Sequence, residues 1–181
     1  KAKEIGAVPI NFSKGSSVEQ IQNQIKNNKA LQDRKRVGEE KIQDILYGID
    51  AIGYESKDEK DISKDNPTQV LDNLVKLLDP TGHIGIIGVF LPQDPGGISE
   101  SAKKGRYEFD FGLAWNKGLT IGTGQTPVKM YDRELRDLVI AGKIKPSVIV
   151  SHHIKIDEAP DFYKNFDTRE TGYIKGIIQF K

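Results

Sequence analysis

Short apolar blocks alternate with amphipathic stretches along the chain. Ala7-Val8-Pro9-Ile10 is an apolar run that reads as a strand. Ser17-Val18-Glu19-Gln20 has the form of a capping box, with the Ser17 hydroxyl on a free backbone N–H and Gln20 reaching back. Val18, Ile21 and Ile25 follow at helical spacing. Residues 45–52 (ILYGIDAI) form a buried-strand candidate that ends at Gly53. Asn66-Pro67 predicts a helix start, with Asn as the cap and Pro at the first helical position. Leu71, Leu74, Val75 and Leu78 are the apolar stripe behind it, and Pro80-Thr81-Gly82 is its stop. Residues 83–90 (HIGIIGVF) then read as a near-continuous apolar strand.

Residues 91–118 break this rhythm. Pro92, Pro95, Gly96 and Gly97 mark a loop, and residues 98–104 are a candidate short helix. Phe109, Phe111, Leu113 and Trp115 alternate with smaller or polar neighbours, a stripe suited to a core or an interface. A short strand opens at Leu119 and closes at Gly122. Thr126-Pro127 starts a helix carrying Tyr131, Leu135, Leu138 and Val139, stopped near Gly142. Residues 148–156 read as a strand, 157–165 as a helix and 173–180 as a last strand. Residues 55–66 (ESKDEKDISKDN) are a polar, exposed loop.

Strands alternating with amphipathic helices predict an α/β fold, a parallel sheet covered on both faces. In such sheets ligands bind beyond the carboxyl ends of the strands. That directs attention to residues 52–57, 88–93 and 123–126.

Composition narrows the function classes. The 181 residues fit one domain with at most a small appendage. Charged residues make up 29% and apolar ones 36%, and the apolar ones are blocked together, so a core is feasible. Lys plus Arg number 27 against 26 Asp plus Glu, a balance that gives no reason to expect nucleic acid or an anionic membrane as partner. No apolar run approaches the roughly 20 residues of a membrane span. There is no leader-like segment, and the expected compartment is the cytoplasm. With no Cys there are no disulfides, thiolate zinc sites or cysteine nucleophiles. The first residue is Lys1, which raises the expectation of a processed, truncated or partly observed product.

Each candidate motif has a functional and a structural reading. Thr123-Gly124-Gln125-Thr126-Pro127 can bring backbone and a carboxamide to a ligand, or be a plain strand-to-helix turn. Gly85-Ile86-Ile87-Gly88-Val89 can let a ligand ring lie on the backbone near Gly88, or allow close helix packing. Asp50 can orient a polar group at a strand end, or cap the loop. His152-His153 would point to opposite faces of a strand, which argues against one shared metal ion. No G-x-S-x-G occurs, and the acidic residues lie mostly in solvated runs. No residue is assigned a catalytic or metal-binding role.

In order, these blocks resemble the C-terminal half of the medium-chain zinc-dependent alcohol dehydrogenases, and within them the glutathione-independent formaldehyde dehydrogenase branch. The carrying segments are Gly48-Ile49-Asp50-Ala51-Ile52-Gly53-Tyr54-Glu55, then Gly82-His83-Ile84-Gly85-Ile86-Ile87-Gly88-Val89-Phe90 leading to Gln93-Asp94-Pro95-Gly96. Phe111-Gly112-Leu113-Ala114-Trp115, Thr123-Gly124-Gln125-Thr126-Pro127-Val128 and Asp157-Glu158-Ala159-Pro160 follow. The resemblance implies a partial Rossmann-type sheet that lacks its first βαβ strands, ending in a strand-helix-strand extension. It implies a partial NAD-binding domain over 1–146 and a segment over 147–181 that returns toward an absent catalytic domain. Ile52, Ile87, Gly88, Val89, Gly124, Gln125 and Thr126 would be the cofactor contacts. The branch places basic or imidazole groups at Lys57, Asp58 and Glu59, and of these only Lys57 keeps a positive charge.

There is no G-x-G-x-x-G with its following acidic residue. The family's zinc ligands would lie in an N-terminal domain. The implied function is therefore a portion of a zinc- and NAD-dependent alcohol or aldehyde dehydrogenase, with a small alcohol or aldehyde as the parent's substrate and no turnover by this chain alone. The alternative is a non-catalytic α/β oligomerisation module, a homo-oligomer paired through the edge strand that runs from Leu119 to Gly122.

Overall fold

The computed structural model describes residues 2–29, 45–168 and 170–180. The chain divides into two compact units, Lys1–Thr126 and Pro127–Lys181.

The first unit contains α1 (Ser17–Asn27), β1 (Tyr47–Asp50), α2 (Gln69–Leu77), β2 (His83–Ile86), α3 (Phe111–Asn116) and β3 (Thr120–Thr123). The three strands are parallel in the order β1-β2-β3. Helix α2 buries the stripe expected of it: Leu71, Val75 and Leu78 form a core with Ile84 and Ala114. Fully burying a Leu, Val or Ile side chain contributes about 1.5–3 kcal/mol, so this small cluster dominates the unit. The helix lies so close to β1 that a Cβ on Gly48 would stand 2.6 Å from Leu74 Cδ2. On the other face of the sheet Tyr47 and Ile49 are exposed. The Lys117 ammonium donates to the carbonyl oxygens of Val75, Lys76 and Leu78 at 2.8, 3.1 and 2.7 Å, and so caps the C-terminus of α2.

Several elements differ from expectation. Residues 7–10 form no strand: Pro9 lacks an N–H and no ladder partner exists among the described residues. The cap of α1 is Ser16, whose hydroxyl accepts from the Glu19 N–H at 3.3 Å, one residue before the predicted cap. Gln20 does not reach back to the cap, since its amide donates to the carbonyl oxygens of Asn11 and Gly15. The Ser17 N–H instead meets Glu59 Oε1 at 2.8 Å. Helix α2 begins two residues after Pro67, because Asn66 caps a preceding turn by accepting from the Thr68 N–H. The alternating stripe from Phe109 to Trp115 is largely the helix α3, in which Phe111 and Trp115, four residues apart, are 61% and 76% exposed. They do not belong to the core of this chain. The helix expected over 98–104 is a single 3-10 turn at Ala102–Lys104.

The second unit holds α4 (Val128–Ile140), β4 (His152–Lys155), α5 (Ala159–Asp167) and β5 (Gly176–Gln179). Strands β4 and β5 pair in parallel with α5 between them in sequence. The strand expected from 148 starts only at His152, because Pro146 opens a 3-10 turn over Pro146–Ile149. Phe162 of α5 covers Gly176, where a Cβ would lie 2.6 Å from the ring. Ser151 Oγ accepts from the Ile174 and Lys175 N–H groups, both at 3.0 Å, and so ties the entry of β5 to that of β4.

Candidate functional site

Asp50, Ile86 and Thr123 are register partners at the carboxyl ends of the three parallel strands. The turns that follow therefore leave the sheet at one rim. Neighbouring strands lie about 4.8 Å apart, so the outer turns stand roughly 10 Å from each other. All seven site residues read from the sequence fall on these turns. Ile52 follows β1, Ile87, Gly88 and Val89 follow β2, and Gly124, Gln125 and Thr126 follow β3. Ile52, Ile87 and Val89 are 56%, 66% and 51% exposed, an apolar rim open to solvent. Gly124, Gln125 and Thr126 are exposed as well. Gly124 has φ +136° and open space where a Cβ would stand.

The first two turns are bonded into one piece. Asp50 Oδ1 accepts from the N–H groups of Ile52 and Gly53, both at 2.9 Å. The Asp50 carbonyl oxygen accepts from Ile87 and Gly88, again at 2.9 Å each. The Ile87 bond is the last of the parallel ladder, while the Gly88 bond and the two bonds to Oδ1 belong to the turns; both strands stop at Asp50 and Ile86, where the sequence predicts longer runs. Past the turns, the Tyr54 N–H donates to the Val89 carbonyl oxygen at 2.9 Å, and Gly53 bridges Val89. Asp50 itself is fully buried, and its Oδ2 has no partner among the described residues. No hydrogen bond among the described residues ties residues 124–126 to the other two turns.

The sequence left open whether Asp50 orients a polar group or caps the loop; it does the capping. The signal was the Asp-x-x-Gly spacing, because Asx turns favour a glycine that takes φ > 0, and Gly53 has φ +79°.

The polar segment that follows is closed rather than wholly exposed. Ser56 is buried, and its carbonyl oxygen accepts from the Asn66 N–H at 2.8 Å. Lys57 is paired with Asp65. Glu59 Oε1 also accepts from Asn73 Nδ2 at 2.9 Å, which ties α1 to α2. N–H groups of Lys60 and Asp61 donate to Asp58 and hold its carboxyl below the ordinary 3.8. Ser63 and Lys64 donate to Asp61 with the same effect. Beyond β2, burial pushes the Tyr107 phenol above 10, and its hydroxyl donates to the Leu91 carbonyl oxygen.

His152 and His153 alternate in exposure along β4. The His152 ring stacks on Tyr173 at 4.3 Å and meets Phe162 edge-on at 5.4 Å. Among the described residues no three His, Asp or Glu side chains are grouped to hold a metal ion. No helix among them is long and apolar enough to cross a membrane.

No protein-family model matches the chain. Curated proteins do. It is 36% identical over 127 residues, 68% of its length, to a glutathione-independent formaldehyde dehydrogenase from Pseudomonas aeruginosa PAO1. To the glutathione-independent formaldehyde dehydrogenase of Bacillus subtilis it is 32% identical over 144 residues, 76% of its length. A zinc-type alcohol dehydrogenase-like protein of Schizosaccharomyces pombe matches at 32% over 132 residues. The chain is a relative of the zinc-type alcohol dehydrogenases. It spans about a third of the length of the formaldehyde dehydrogenases it matches, 32% and 35%. Solved alcohol dehydrogenases share its fold. One from Thermus sp. ATN1 superposes with TM-score 0.66 over 98% of this chain and 41% of that one, at 21% identity. A short chain alcohol dehydrogenase from Escherichia coli CFT073, complexed with NADH, gives 0.65 over 99% of this chain and 40% of that one, at 19% identity. The fold of this alcohol dehydrogenase relative is Rossmann-type.

Two groups implied by that kinship fit unequally. Zinc finds no donor set among the described residues. For a nicotinamide ring the rim offers the exposed apolar side chains of Ile52, Ile87 and Val89, and the turn after β3 carries the exposed Gln125 carboxamide.

Proposed function

We propose that this chain is the C-terminal portion of a zinc- and NAD-dependent alcohol or aldehyde dehydrogenase of the formaldehyde type, and that it supplies the nicotinamide-side turns of the coenzyme site. The reading rests on one observation above the rest: three parallel strands end in register, so that Ile52, Ile87–89 and residues 124–126 leave one rim. On this reading residues 1–146 are the partial coenzyme domain and 147–181 return toward the catalytic domain. When bound, NAD would supply the hydride acceptor. Ile52, Ile87 and Val89 give the ring an apolar wall that excludes water. Gly88 lets the ring approach the backbone. Gly124, Gln125 and Thr126 orient its amide, since a carboxamide both donates and accepts. Lys57 is held by Asp65 and is not assigned to the coenzyme. The parent's substrate is a small alcohol or aldehyde and its compartment the cytoplasm.

The test is turnover by the 181-residue chain with NAD, zinc and formaldehyde or ethanol. No activity is expected, because the sequence has no glycine fingerprint and no Cys, and no zinc donor set is grouped among the described residues. Zinc-supported, NAD-dependent oxidation by this chain alone would refute the reading.

A second reading is a non-catalytic oligomerisation module. It is favoured by the position of β3 at a sheet edge, with Thr120 and Gly122 exposed, and by the exposed Trp115 in the helix before it.

A further inference from the structure

We propose that Asp50 is the positioning residue of this rim: its carboxylate and its own carbonyl oxygen together fix the two turns that carry Ile52 and residues 87–89. The inference rests on the nicotinamide reading above and deepens it. A carboxylate with no solvent exposure is costly at the end of a strand, and an apolar residue would be cheaper on the face it shares with Ile84 and Ile86. Asp50 spends its bonds on turns. Oδ1 takes the N–H groups of Ile52 and Gly53, and the carbonyl oxygen takes those of Ile87 and Gly88.

A cap for one loop needs only the first pair. The Ile87 bond is the ladder's own, which any residue there would make, but the added Gly88 bond ties the start of the second turn to the residue whose carboxylate holds the first, so a shift of Asp50 moves both. The contact between Gly53 and Gly88 leaves no slack to absorb such a shift. Bonds to an ionised acceptor are stronger than bonds to a neutral one, which favours a carboxylate where rigidity is needed. The remaining oxygen, Oδ2, is buried and unpaired among the described residues, a desolvation cost that these contacts alone do not remove. Asp50 touches no reacting atom in this account; it acts through Ile52, Ile87 and Gly88.

The experiment uses the 15N-labelled 181-residue chain, with nicotinamide mononucleotide as probe. Amide shifts and hydrogen exchange are recorded for the wild type, Asp50→Asn and Asp50→Ala. In the wild type, the amides of Ile52, Gly53, Ile87 and Gly88 are expected to exchange slowly, and the rim amides to shift with the probe. Asp50→Asn keeps an acceptor oxygen and is expected to bind the probe within about threefold of wild type, whereas Asp50→Ala weakens binding by about tenfold or more. The amides of α2 stay protected in both, as a control for folding.

Equal probe binding by wild type and Asp50→Ala overturns the positioning role alone. No rim shift in the wild type overturns the nicotinamide reading and the role with it. If Asp50→Ala loses the α2 protection, the other two proteins decide. Slow exchange at Ile52 and Gly53, with probe binding retained in Asp50→Asn, supports the role, and fast exchange there in the wild type overturns it.

Discussion

Gly53 and Gly88 meet backbone to backbone where the first two turns run side by side. A Cβ on Gly88 would lie 2.3 Å from the Gly53 amide nitrogen, and one on Gly53 would lie 2.2 Å from the Val89 carbonyl oxygen. Neither position has a flexible side chain that could give way. Gly88→Ala is therefore expected to cost about 1–3 kcal/mol, as for overpacking of a filled site. Gly53→Ala adds a left-handed backbone and about 1–2 kcal/mol more. Gly118→Ala, at φ +61° with nothing within 4 Å, carries the backbone cost alone. Urea unfolding of the three variants checks the ranking; a Gly118 variant as weak as the Gly53 variant would show that the close approach is unimportant.

Lys117 sets a second expectation. Its ammonium holds three carbonyl oxygens at the end of α2, beneath the core residues Val75 and Leu78. Lys117→Met keeps the alkyl stem and removes the charge-assisted bonds, so the unfolding midpoint should fall by the equivalent of about 1–3 kcal/mol. Lys129→Met, on exposed α4, should change it by less than about 0.5 kcal/mol.

Much of this fold was legible in the sequence. The stripe of Leu71, Val75 and Leu78 fixed the buried face of α2, and the run from Ile84 had only one environment that could accept it. The ends of the strands were not legible, because the apolar runs continue past Asp50 and Ile86 while the Asp50 side chain and the Gly88 bond turn the backbone there. Lys117 was missed because it lies about forty residues from the carbonyls it caps. At the rim, the strand-then-turn pattern pointed to residues 52–57, 88–93 and 123–126, and only the resemblance to the alcohol dehydrogenases singled out Ile52, Ile87, Gly88, Val89, Gly124, Gln125 and Thr126, whereas the bonds of Asp50 were visible only in the structure. The alternation of Phe109, Phe111, Leu113 and Trp115 did not reveal the helix α3, because period two and a short helix look alike over seven residues.

The loop after Ser56 makes a pH prediction. Asp58 and Asp61 have carboxyl pKa values depressed in the folded chain by N–H and hydroxyl donors within the loop. A depressed pKa contributes stability that is present above the unfolded value near 3.8 and lost as the pH falls through the folded values. Carboxyl 13C titration should therefore place both midpoints below 3.8, with the amides of residues 60–64 losing protection over the same range. Midpoints at or above 3.8 would show that those hydrogen bonds do not persist.

The oligomerisation reading is best probed away from the core. Leu119 and Ile121 pack against the buried cluster, so a charge there would disturb folding as well as any edge pairing. Thr120→Lys and Trp115→Ala alter exposed positions on the strand edge and on α3. If copies pair along β3, both variants lower the mass seen by light scattering toward that of one 20.2 kDa chain. A wild-type mass already equal to one chain, or variants with unchanged size, would remove that reading.

The central claim is that this rim takes the nicotinamide end of the coenzyme and not the adenosine end. Saturation-transfer NMR of the 181-residue chain with NAD reads this directly, because each half of the ligand reports for itself. The account predicts transfer to the nicotinamide ring protons with little reaching the adenine protons, and its loss on Gly88→Ala. Transfer dominated by adenine, or equal over both rings, would contradict it.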